Sequence, residues 1–166
     1  MQHFFKKEKA LCGLGIMVDP AIIHYCKYQE RCHSEVRNKL YELGFTTPEV
    51  ECQLATLIEA DVLNEERFAR SFARGKFRML QWGREKIKQQ LKARKISDYC
   101  IKKAMTEIDA DAYDNTLNKL SSKKAAEVKK DRSPASRKSK LYRYLLQKGY
   151  ERDLVMDMVK QYLERE

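Results

Sequence analysis

Four arginines, Arg67, Arg70, Arg74 and Arg78, are spaced so that a helix brings them within an arc of roughly 80°. A guanidinium is a permanently charged fork that matches carboxylate and phosphate oxygens, so the chemistry open to this row is anion recognition. Arg84, Lys88, Lys92 and Arg94 extend the row into the next segment. From Arg67 to Lys103 there are thirteen Lys/Arg against two acids, Glu85 and Asp98, a net +11 where the whole chain carries +10. The excess charge of the molecule therefore sits here. A surplus this local points to an anionic partner: nucleic acid first, an acidic protein surface second, a membrane third. The bland alternative is a solvated helix face. Such a face mixes signs, and this one has no acid between Glu66 and Glu85.

Other chemistries fare worse. His24, Cys26, Cys32 and His33 put four nitrogen or sulfur ligands within ten residues, but their spacing fits none of the usual zinc patterns. No metal or other cofactor is expected. The chain has no Gly-rich phosphate loop, no H-E-x-x-H and no nucleophile elbow. All three histidines lie before residue 34, so a His-based active site would have to come from the N-terminal fifth. The expectation is a binding protein without catalysis. Trp82 reads as a packing wedge, and Phe68, Phe72 and Phe77 as core or inter-unit packing first; Phe77, off the main apolar face of Phe68, Phe72 and Met79, is the one of the three with partner contact as its alternative.

The elements that must carry these residues are helices. Asp19-Pro20 opens the first, to about Gln29; Ser34 caps the second, which stops at Gly44; Thr47-Pro48 opens the third, to about Glu59. Asn64 caps the fourth, with Glu65 and Glu66 in its first turn and Leu63 and Phe68 at the spacing of a hydrophobic staple. The break at Trp82-Gly83 starts the fifth. Ser97 caps the sixth, to about Ile108. The seventh starts at Asp111 and fades near Lys123, giving way to a solvated basic run through Arg132. Ser133-Pro134 opens the eighth, and the ninth runs from about Arg152 to Leu163. No stretch alternates with period two, so no sheet is expected.

These nine helices repeat. Val36, Leu40, Phe45, Val50, Leu54 and Leu57 superpose without a gap on Ile87, Leu91, Ile96, Ile101, Met105 and Ile108. Leu141, Leu145, Tyr150, Val155, Val159 and Tyr162 form a third row. Each row is a helix, a tight turn and a second helix, with Gly44, Lys95 and Gly149 at the left-handed position of the turn. A preceding helix completes each unit. The expected fold is all-α: three tandem three-helix units in an elongated, curved array stacked through neighbours. The boundaries are 1–18 for a poorly ordered leader, then 19–60, 61–109 (the basic central unit) and 110–166.

Within the leader, Lys6, Lys7 and Lys9 precede a nine-residue apolar run, Ala10 to Val18, with the proportions of a signal peptide. No small-x-small cleavage site follows, and the run is too short to span a bilayer, so export and membrane insertion are not expected. Five cysteines at irregular spacing point to free thiols in a reducing, cytoplasmic compartment, with Cys100 buried beside Ile101, Ala104 and Met105. With no self-complementary apolar patch in the pattern, a monomer is expected.

The segment LNEERFARSF, then Gly83, then IKQQLKARKIS, resembles the RecX family of bacterial recombination regulators. Leu145-Leu146-Gln147-Lys148-Gly149-Tyr150 matches that family's recurring Leu-x-x-x-Gly-aromatic turn, and the resemblance runs from about Tyr25 to Leu163. Glu65 stands where the family usually has Asp, and Lys95 where it has Gly. The resemblance implies a protein without catalysis that lies in the groove of the RecA–DNA filament and limits or reverses its extension. It would thereby damp strand exchange, ATP hydrolysis and co-protease activity in DNA repair and the SOS response. The partners implied are the RecA filament and single- or double-stranded DNA, met through the basic central unit. The alternatives are a helical-repeat protein that binds nucleic acid without acting on RecA, and a scaffold whose charge serves solubility alone.

Overall fold

The computed structural model describes residues 17–163. Among them are nine α-helices and no strand: α1 Pro20–Tyr28, α2 His33–Glu42, α3 Thr47–Glu59, α4 Glu65–Leu80, α5 Arg84–Ala93, α6 Asp98–Met105, α7 Ala110–Val128, α8 Pro134–Lys148 and α9 Arg152–Leu163. All but the last two residues of the expected leader lie outside the described residues. The remaining two are Met17, which is exposed, and Val18, which packs against a core.

Side-chain caps set most of the helix starts. Asp19 accepts from Ala21 N, Asn64 from Arg67 N, Ser97 from Cys100 N and Ser133 from Ser136 N. Three starts differ from expectation. α7 begins at Ala110 and not Asp111, because Asp109 caps it, accepting from Ala112 N at 2.8 Å. α2 begins before Ser34, because Cys32 takes the cap and its N–H donates to Glu35 Oε2 at 3.4 Å. α3 is capped by Thr46, whose N–H and hydroxyl both donate to Glu49 Oε2, at 2.8 and 2.7 Å. Glu49 at N3 is the acid of a capping box with Thr46, which moves the cap one residue ahead of Thr47. α7 does not fade at Lys123: Ala125 and Val128 are buried on it, and that apolar stripe carries the helix to Val128.

The three tight turns are built alike. Phe45 N donates to Leu40 O at 3.2 Å, Ile96 N to Leu91 O at 3.2 Å and Tyr150 N to Leu145 O at 3.3 Å. Gly44, Lys95 and Gly149 sit at φ 88°, 61° and 91°. Lys95 is thus held in the left-handed region that glycine occupies in the other two turns, at a cost of roughly 1 kcal/mol. Fifteen of the eighteen aligned apolar residues are buried, and Phe45, Met105 and Tyr162 pack partly buried against the same cores.

Helices pack chiefly within their own unit: α1 on α2 and α2 on α3, then α4 and α5 on α6, then α7, α8 and α9 on one another. The first unit keeps its own core, around Ile22, Val36, Leu40, Leu54 and Leu57. The second and third share one, in which the rings of Phe77, Tyr113 and Tyr150 meet in series, each pair tilted. Phe77 is therefore interior, packed between units as expected, and does not face outward to a partner; the third unit supplies its neighbour Tyr113. Met79 is the reverse, 84% exposed instead of on the apolar face with Phe68.

At the joint of the second and third units the backbones nearly touch. Gly83 N donates to Lys148 O at 2.8 Å and Glu85 N to Gly149 O at 3.0 Å. The open amides at the start of α5 thus meet the open carbonyls at the end of α8, satisfying both termini. A Cβ on Gly83 would collide with the Gly149 carbonyl, so this position needs glycine for close approach. Cys26, Cys32 and Cys100 are free and buried, as expected of thiols.

Candidate nucleic-acid and filament interface

α4 presents its arginines outward because Phe68, Ala69, Ala73 and Phe77 bury the opposite side. Their partners come from elsewhere in the chain. Arg67 Nε donates to Glu30 Oε1 at 2.6 Å, and its Nη atoms hold Asp61 Oδ2 and the carbonyls of Asp61 and Val62. Arg70 donates to Glu66 and to Glu107, both at 2.8 Å, and Arg74 reaches the other oxygen of Glu107 at 3.3 Å. The bonds to Glu107 and Glu66 push the Arg70 guanidinium to still firmer protonation. In the folded chain the row is no longer single-signed. Glu107 at the end of α6 and Glu30 before α2 supply the countercharge.

Arg78 differs from its neighbours: it is exposed, and among the described residues its guanidinium makes no ion pair or hydrogen bond. In α5, Lys88 pairs with Glu85 at 2.9 Å, a contact one turn apart. Lys92 lies 3.5 Å from Asp98, both well exposed, so the pair is weak and screened. Arg84 lies 3.8 Å from Glu151 and 4.0 Å over the Tyr113 ring. Arg94 lies 3.7 Å from Glu35 and 5.0 Å over the Phe72 ring. Hence Arg67 and Arg94 tie the second unit to the first, and Arg84 ties it to the third.

Tyr113 is fully buried at that second joint. Its hydroxyl accepts from Arg84 N at 3.1 Å and donates to Glu151 Oε2 at 2.6 Å. Burial first, and that donated bond second, push its phenol far above the ordinary tyrosine value. It is a neutral pin between units.

Sequence spacing missed two cations that the fold sets over Trp82, Lys76 and Lys86, and a third, Lys148, which donates to Leu80 O at the end of α4. Lys148 comes from α8, far along the chain, so no local pattern joins it to the others. Among the described residues no group of three or more His, Cys, Asp or Glu comes together as metal ligands would, and no helix is long and apolar enough to cross a membrane.

Residues 64–105 match the RecX second three-helix domain and residues 111–159 the RecX third three-helix domain. The regulatory protein RecX of Clostridium perfringens (strain 13 / Type A) is 31% identical over 137 residues, covering 82% of this chain. This chain spans 64% of that relative's length, less than two thirds. The regulatory protein RecX of Prosthecochloris aestuarii is 30% identical over 129 residues, 78% of this chain and 82% of the relative. A crystal structure of RecX from Lactobacillus salivarius superposes with a TM-score of 0.75 at 23% identity, covering 100% of both chains. Through these two consecutive domains and these relatives, the chain belongs to the RecX family.

Proposed function

We propose that this chain binds the RecA–DNA filament and restrains RecA, damping strand exchange, ATP hydrolysis and co-protease activity in DNA repair and the SOS response, without chemistry of its own. The observation that carries the reading is the family match through two consecutive three-helix domains, residues 64–105 and 111–159. The mechanism is groove occupancy by a curved monomer in the cytoplasm, in which successive units bridge neighbouring filament subunits. The units, bounded at 19–60, 61–109 and 110–166, act as three links of one strap.

The eight basic residues divide within this mechanism. Arg67, Arg70, Arg74, Arg84 and Arg94 fix helices and units to one another, while Arg78, Lys88 and Lys92 are the ones offered to acidic protein surface or DNA. Co-sedimentation tests the reading: the chain should pellet with RecA assembled on single-stranded DNA, at a level well above that with the DNA alone. Equal pelleting with DNA alone would favour a second reading, a nucleic-acid-binding protein that does not act on RecA. What favours that second reading is the pair of lysines over Trp82, Lys76 and Lys86, with Lys148 at the adjoining end of α4.

A further inference from the structure

The two joints of the array rest on different physics. The second and third units share one core, and backbone bonds cross between them, from Gly83 N to Lys148 O and from Glu85 N to Gly149 O. Between the first and second units no backbone hydrogen bond crosses among the described residues, and each side keeps its own core. One short segment links them. Val62 N and Leu63 N both donate to Leu57 O at 3.0 Å, which ties them to the first unit, whereas Asn64 caps α4 of the second. The pivot therefore falls between Leu63 and Asn64.

Charge holds the two faces together. Arg67 Nε donates to Glu30 Oε1 at 2.6 Å, and Arg94 Nε stands 3.7 Å from Glu35 Oε1. His33 Nδ1 stands 3.6 Å from Glu65 Oε1, an ion pair only when the imidazole is protonated. These six side chains are 21% to 38% exposed, so solvent and salt reach every pair. One neutral bond joins them, from Ser34 Oγ to Arg94 O at 3.2 Å. The apolar share is small: among the described residues, the first unit lends the neighbouring core Cys32 alone, at 0% exposure. Beside it the faces leave a cleft of about 450 Å³, with Gln29, Glu30 and Glu35 on one wall and Phe68, Phe72 and Leu80 on the other. A close-packed interface leaves no such space.

Exposed ion pairs each contribute little and fade as salt shortens the reach of charge, from roughly 10 Å at 0.1 M to about 3 Å at 1 M. Salt does not weaken a buried apolar core in this way. Added salt thus loosens the first joint and spares the second.

We propose that the first unit is a salt-released arm, turning between Leu63 and Asn64 on a rigid body made of the second and third units, and that the ion pairs of Arg67 and Arg94 hold it shut with Cys32 in the shared core. The motion belongs to the chain alone, so the inference does not rest on the recombinase reading. An anion that draws Arg67 or Arg94 away opens the arm as salt does, which couples the angle of the first unit to whatever engages those two arginines.

Cys32 reports the motion. In the shut arm its Sγ lies 3.1 Å from Ser34 Oγ, and burial pushes its thiol above the ordinary value, so it is shielded and unreactive. Cys26 lies in the first unit's own core and Cys100 in that of the second, so both stay buried whether the arm is shut or open. Pulsed alkylation with iodoacetamide, each cysteine read by peptide mass spectrometry, separates the two cases. Raising sodium chloride from about 0.05 to about 1 M should speed Cys32 modification about tenfold and leave Cys26 and Cys100 within about twofold. Glu30→Gln removes one ion pair and touches neither a cap nor a core. It should speed Cys32 about threefold at low salt and shrink the salt effect, with unchanged helicity. Equal speeding of all three cysteines would mean unfolding and overturn the proposal. So would a Cys32 rate that ignores salt, or a Glu30→Gln rate equal to that of the unaltered chain.

Discussion

Glu107 governs what the α4 arginines can offer. One carboxylate takes Arg70 and Arg74 at once, so both guanidiniums reach a polyanion only by leaving it. Arg78 has no such competitor. Arg78→Gln should therefore lower the salt slope of binding to RecA–DNA filaments by about 1, the loss of one phosphate contact. Glu107→Gln should act in the opposite sense, freeing two cations and tightening polyanion binding at low salt. Filament titrations at several salt concentrations check both signs. Charge-reversing Arg70 and Arg74, the substitution the bare sequence invites, is a poorer probe, because it sets four carboxylates, the two new ones with Glu66 and Glu107, against one another. Tyr113→Phe belongs to the same scale: it strips a buried pin of its bonds to Glu151 and Arg84 N. The expected cost is about 1–3 kcal/mol by denaturant unfolding.

At the scale of elements, turns and joints set the cost of change. Lys95 holds φ 61° in a turn where Gly44 and Gly149 do the same work without strain. Lys95→Gly should stabilise the chain by about 1 kcal/mol, read from the thermal midpoint. Gly83→Ala should do the reverse, by about 2 kcal/mol or more, because the added methyl meets backbone at Gly149 and backbone cannot step aside.

How far the elements could be read in advance follows from the same physics. Helix caps, the aligned rows and the left-handed Lys95 are local patterns, so spacing reveals them. The start of α2 was legible less well, because a cysteine is an unusual cap and Glu35 made it one. The countercharges were not legible at all. Glu107 lies 37 residues from Arg70 and Glu30 lies 37 from Arg67, so only the folded array brings them together. The same holds for Lys148 beside Leu80, 68 residues away. A helical wheel shows which residues share a face, not what another helix lays against it.

For the whole molecule, burial fixes how the array responds to base. It pushes the Cys26 thiol up to about 11 from 9.0, and raises Tyr25, Tyr113 and Tyr150 above 10.0. A raised folded value means that the folded chain favours the neutral form. That stabilisation is complete below the unfolded values and is lost as pH climbs through the folded ones. Stability should therefore begin to fall near pH 9 and drop more steeply above pH 10, where unfolding releases phenolic protons. Denaturant midpoints across that range check it, and Tyr113→Phe should blunt the steep part.

The array as a whole is also what the proposed function depends on: three capped units joined end to end, with the free cations facing a filament that carries DNA. The most direct test is RecA ATP hydrolysis on single-stranded DNA while this chain is titrated in, at two salt concentrations. Inhibition at substoichiometric ratios is expected, weaker at the higher salt. Undiminished hydrolysis by the RecA of the same organism, at an equimolar ratio and low salt, would contradict it.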